Sequence, residues 1–109
     1  MTFKELGLTD TLLAGIDSMG FKQATPVQEQ VIQAILAGRD IIASAQTGTG
    51  KTGAFLLPII HKLITEPHDE NKINALIIVP TRELAIQIAD NMEGLGYFTN
   101  VSCIFCFYK

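Results

Sequence analysis

The stretch ASAQTGTGKTGAFLLP, Ala43 to Pro58, lies between two apolar segments, and its reading decides the rest. DIIAS, which leads into it, is a short apolar run of the kind expected for a buried strand. KTGAFLLPIIHKLITE, which follows from Lys51, reads as a helix with Pro58 as a point of bending. Between them, Ala45 to Thr52 reads AQTGTGKT. This matches the phosphate-loop pattern G-x-x-x-x-G-K-[ST] except that Ala45 stands at the first glycine. Gly48 and Gly50 let the backbone curl, so that N–H groups along Ala45, Gln46, Thr47, Gly48, Thr49 and Gly50 turn inward. Together with the N-terminus of the next helix they form an anion cradle. Lys51 then reaches the β- and γ-phosphates of a nucleotide as a point charge, and the Thr52 hydroxyl is placed to ligate Mg²⁺. The competing reading is a glycine turn with an ordinary solvated lysine. The position of GKT directly between an apolar strand and a helix weighs against it.

Outward from the loop, the pattern alternates between helix and strand. LTDTLLAGIDSMGF carries Leu12, Leu13, Ile16 and Met19 at helical spacing, with Gly20 as a stop. TPVQEQVIQAILAGRD is a second helix, capped by Thr25 and started by Pro26, with Val27, Val31, Ile35 and Leu36 as its apolar stripe and Gly38 at its end. PHDENKIN is polar and expected at the surface, and ALIIVP is another apolar strand. TRELAIQIADNMEGLG is a helix capped by Thr81, with Leu84, Ile88, Met92 and Leu95 on one side; VSCIFCF is a third strand. Unbroken apolar strands followed by helices predict an α/β fold, a parallel sheet with helices covering both faces. There is no internal repeat and no low-complexity segment.

The composition agrees with a packed domain or part of one. Of 109 residues, 48% are hydrophobic and 17% charged, which excludes a disordered chain. No apolar run is long enough for a bilayer-spanning helix and no signal peptide is apparent, so the expected location is cytoplasmic. A net charge of −3 excludes a polybasic clamp, so any nucleic-acid contact must be local. Cys103 and Cys106 have C-x-x-C spacing. With no second pair, and with His61 and His68 far off in sequence, they read as buried apolar thiols.

At three places the sequence resembles the DEAD-box RNA helicases. GFKQATPVQ, Gly20 to Gln28, resembles the family's Q motif, and Phe3 resembles the isolated aromatic upstream of it. AQTGTGKT is similar to motif I, alanine included, and PTRELA, Pro80 to Ala85, resembles motif Ia. The resemblance implies a RecA-like P-loop domain over residues 1–109 that takes ATP with Mg²⁺ and contacts RNA. On that reading Gln28 pairs with adenine N6 and N7 through its amide, Phe3 stacks on the base, and Phe21 belongs to the same base-binding set. Gln28 has a second reading, because Thr25-Pro26-Val27-Gln28 also has the form of a capping box. Pro80, Thr81, Arg82 and Glu83 would meet an RNA phosphate together with the amides of the next helix. Their alternative is a capped helix with Arg82 solvated.

The sequence also departs from the family. It contains neither D-E-A-D nor S-A-T, and the second RecA-like domain is missing. The stretch CIFCFYK stands where the family usually shows a glycine pair. The expectation is an incomplete domain, truncated before the DEAD motif, that binds nucleotide without turning it over. The family's D-E-A-D carboxylates hold Mg²⁺ and orient water, and its second-domain arginines stabilise the transition-state charge. Two alternatives are a different P-loop protein, such as a small nucleotide kinase, and an inert truncated product with no activity of its own. The Q motif and PTRELA weigh against the kinase.

Overall fold

The computed structural model describes residues 1–44, 50–69 and 71–104. Ala45 to Thr49 of the phosphate loop, Glu70 and residues 105–109, Cys106 among them, lie outside the described residues.

Among the described residues four helices follow a single 3-10 turn at Lys4–Leu6: α1 Asp10–Ser18, α2 Pro26–Leu36, α3 Lys51–Thr65 and α4 Arg82–Leu95. Three begin on a threonine, two of them, Thr25 and Thr81, at the caps the sequence predicts. The side chains of Thr9, Thr25 and Thr81 accept the N–H of Leu12, Gln28 and Leu84 respectively, which satisfies a donor the helix itself leaves unpaired. Gly20 and Gly38 follow α1 and α2 in the left-handed region, with φ of 81° and 82°, where a β-carbon would be strained. Pro58 lies inside α3, which continues through it, and its ring is buried.

The helices close around one core. Leu12 and Ile16 of α1, Ile32 of α2, Leu56, Leu57 and Ile60 of α3, and Ile88, Met92 and Leu95 of α4 all pack there. Gly15 makes the crossing of α1 and α4 possible, since a β-carbon there would collide with the carbonyl of Leu95. The buried face of α2 differs from the expected stripe. Gln28, Val31 and Ile32 are buried, whereas Val27, Ile35 and Leu36 are only half-covered. The stripe at i, i+3, i+4 starts on a glutamine, so a reading that follows apolar residues alone misplaces it.

The expected sheet is not seen among the described residues. Among the described residues the only β pairing is a single antiparallel bridge between Thr2 and Gln23, and the expected strands at 40–44, 75–80 and 101–104 form no ladder. A strand exists by pairing, and among the described residues these segments have no neighbour that takes up their backbone groups as a ladder would. Their side chains still alternate. Ile77 and Val79 pack against the helical core, while Leu76 and Ile78 remain 76% and 85% exposed. One face is covered and the other is open. One expectation is corrected: Cys103 is exposed rather than buried. It lies in the third of these uncovered segments.

Candidate nucleotide-binding site

Gly50 ends the loop and caps α3. Its φ of 85° is left-handed, so the chain turns sharply from the loop into the helix. With no side chain it blocks none of the first N–H groups of α3. Lys51, exposed, and Thr52, half-buried, are the first two helical residues. A helix start that Gly50 caps without a side chain, with a lysine and a hydroxyl in its first turn, suits an anion.

Gln28 lies directly beneath this turn. It is 5% exposed and is the one buried polar residue among those described. The capping box is present: the Gln28 amide oxygen accepts the Thr25 N–H at 2.9 Å, and the Thr25 hydroxyl oxygen accepts the Gln28 N–H at 3.3 Å. The other end of the same amide reaches across 22 residues. Its Nε2 donates to the Gly50 carbonyl at 3.3 Å. The two glycines beside it leave it room. A β-carbon on Gly50 would meet Nε2 at 2.5 Å, and one on Gly53 would meet it at 3.1 Å. Reading the sequence alone missed this link; the glycines flanking Lys51-Thr52 were its only signal.

The two aromatic residues separate. Phe3 is 4% exposed and belongs to the core, anchored where the N-terminal segment docks on residues 23–24 through the Thr2–Gln23 bridge and the Ala24 N–H bond to the Met1 carbonyl. Its ring is enclosed by apolar neighbours of the core. Phe21 is 46% exposed and keeps a free ring surface.

The second region expected to bind, Pro80 to Glu83, lies at the start of α4. All four residues are exposed, and Thr81 caps the helix, with Leu84 N–H bonded to its hydroxyl oxygen at 3.2 Å. Arg82 and Glu83 occupy the first turn. A shallow groove of about 490 Å³ lies at the opposite end of α4, against Met92, Gly96, Val101 and Cys103, away from Gly50. Among the described residues no cluster of three or more His, Cys, Asp or Glu side chains could hold a metal by itself.

Comparison with known proteins places this arrangement. The DEAD/DEAH box helicase family profile matches residues 25–109. The chain is 52% identical over 95 residues to a DEAD-box ATP-dependent RNA helicase CshA from Bacillus cereus, covering 87% of this chain and 18% of that protein. It is 47% identical over 104 residues to the probable ATP-dependent RNA helicase ddx27 of Dictyostelium discoideum, covering 94% of this chain and 13% of that protein. The chain therefore spans less than a fifth of the length of these two relatives. Among solved structures, a DEAD box protein from Methanococcus jannaschii superposes with a TM-score of 0.78 at 46% identity, over 87% of this chain and 25% of that one. A Dbp5 variant from S. cerevisiae bound to RNA and ADP BeF3 gives 0.83 at 37% identity, over 92% and 25%. With a family match that runs over most of its length, the chain belongs to the DEAD/DEAH box helicases.

Proposed function

We propose that residues 1–109 form the ATP-binding opening part of a RecA-like helicase domain, with the Q motif at 20–28, the phosphate loop at 45–52 and an RNA-contacting segment at 80–85. The observation that carries this reading is the start of α3. A left-handed glycine opens the helix N-terminus, Lys51 and Thr52 follow at once, and the Gln28 amide sits against the turn.

The residues fit magnesium-bound ATP. Lys51 supplies a positive charge for the terminal phosphates, and the uncapped N–H groups of α3 add donors. Thr52 contributes one oxygen, which suits a Mg²⁺ ion that takes its other ligands from phosphate and water. When bound, the ion would offset charge on the phosphates. Gln28 retains one amide hydrogen and one lone-pair site beyond the bonds described, the donor and acceptor an adenine edge requires. Phe21, whose ring is exposed, and Phe3 complete the proposed base-binding set. At 80–83, the Thr81-capped start of α4 and Arg82 suit an RNA phosphate, with Pro80 and Glu83 flanking them. A cytoplasmic location is part of the same proposal; no helix among the described residues is long and apolar enough to cross a membrane.

The 109 residues contain no D-E-A-D, so the carboxylates that would orient an attacking water are not supplied by them. The expected result is Mg²⁺-dependent binding of ATP, preferred over GTP, weakened at least about tenfold by Lys51→Ala, with no phosphate release with or without RNA. Calorimetric titration and a phosphate-release assay test this. Binding indifferent to Lys51→Ala, or RNA-stimulated turnover abolished by it, would overturn the reading.

A further inference from the structure

The Gln28 amide joins two segments that the nucleotide reading treats separately, the base-reading Q motif and the phosphate loop. Its oxygen is held by Thr25 N–H and its nitrogen by the Gly50 carbonyl. That carbonyl also receives the Ala54 N–H at 3.0 Å, the first bond of α3. Gly50 is thus fixed from both sides: its own helix holds it from one, and a buried side chain of α2 from the other. The fit is close, since Gly50 and Gly53 leave the amide almost no spare volume. A buried amide donor without an acceptor is costly, so Gln28 favours the one loop-to-helix turn that presents the Gly50 carbonyl to it.

We infer that Gln28 is a positioning residue for the start of α3: through the Gly50 carbonyl it holds the turn that sets Lys51 and Thr52, and so strengthens polyphosphate binding even when no base is present. The inference rests on the proposed phosphate site. It departs from a purely base-reading role, which would leave a base-free ligand indifferent to Gln28. It also departs from a purely capping role, which Thr25 shares.

The test uses inorganic triphosphate with Mg²⁺ as the probe, titrated into the full chain and three variants. Gln28→Met removes the donor at similar size. Gln28→Glu keeps the oxygen that accepts from Thr25 but removes the donor. Thr25→Ala weakens the same helix start while leaving the link to Gly50. Loss of one neutral hydrogen bond corresponds to about a three- to tenfold loss of affinity. That loss is expected for Gln28→Met and at least as large for Gln28→Glu, whose charge also opposes the anion. Thr25→Ala should stay within about twofold. Amide exchange at Ala54 is expected to quicken in both Gln28 variants and not in Thr25→Ala. If Gln28→Met fails to fold, Gln28→Glu and the Ala54 exchange decide the matter. Unchanged triphosphate affinity in both Gln28 variants, or an equal loss in Thr25→Ala, would overturn the inference and leave the nucleotide site standing. A parent chain that binds neither triphosphate nor ATP would overturn both.

Discussion

The helical layer and the segments at 40–44, 75–79 and 101–104 have similarly apolar sequences, yet they meet opposite fates. Leu12, Ile32, Leu56 and Ile60 are fully enclosed, whereas Ile42, Leu76, Ile78 and Ile104 stand in solvent. Helices satisfy their own backbone groups and need only one face covered. Strands need neighbours for their backbones and a layer for each face. Within these residues the helices find both conditions met, and the other segments find one face at most. The phosphate-loop turn is on the closed side, braced by Gln28.

The sharpest way to break this comparison is to shorten one leucine in each region. Leu56→Ala removes a fully buried side chain and is expected to cost about 2–5 kcal/mol. Leu76→Ala, on the open face, should stay within about 0.5 kcal/mol. Urea unfolding measures both, and equal losses would show that the open face is covered in solution. The double change Leu76→Lys with Ile78→Lys should leave stability similarly unmoved and reduce self-association in sedimentation, because an uncovered apolar segment invites pairing. An intermediate effect is expected at Gly15. Alanine there drives a β-carbon into the Leu95 carbonyl, and overpacking of this kind costs about 1–3 kcal/mol. A neutral Gly15→Ala would mean that α1 and α4 are further apart than described.

Much of the closed side was legible in the sequence because its signals are local. Thr25 and Thr81 marked two helix starts, and Gly20 and Gly38 marked two ends. The helix start at Lys51 was legible from the strand, glycine loop and apolar run around it. What was not legible depends on distant partners. Whether ALIIVP forms a strand depends on what lies beside it, and no local propensity supplies that. The burial of Phe3 was not legible because the sequence does not show that the N-terminal segment folds onto residues 23–24. Gln28 offered two readings, a cap and a base reader, and the structure added a third, since the Gly50 carbonyl is 22 residues away.

The smallest expected effect is a pH dependence on the closed side. His61 of α3 has a buried Nδ1 with no hydrogen-bond partner among the described residues, and burial holds its pKa below the usual 6.5, partly opposed by the nearby Glu66 carboxylate. The unfolded chain therefore binds a proton more readily than the folded one. The stability this residue confers is complete above about pH 6.5 and falls as pH drops through 6.5 toward the lower folded value. His61→Gln should flatten stability between about pH 5 and 6.5. A slope unchanged by the substitution would assign that pH dependence elsewhere.

Residue-resolved hydrogen exchange with and without Mg²⁺-ATP probes the contrast and the site together. Amides of α1, α2 and the middle of α3 should exchange slowly, and those at 75–79 and 101–104 rapidly. Adding Mg²⁺-ATP should slow Lys51, Thr52, Gly53 and Ala54 in the parent chain but not in Lys51→Ala, leaving 75–79 fast in both. Protection at 75–79 equal to that of α3, or a first turn of α3 that does not respond to Mg²⁺-ATP, would contradict the account.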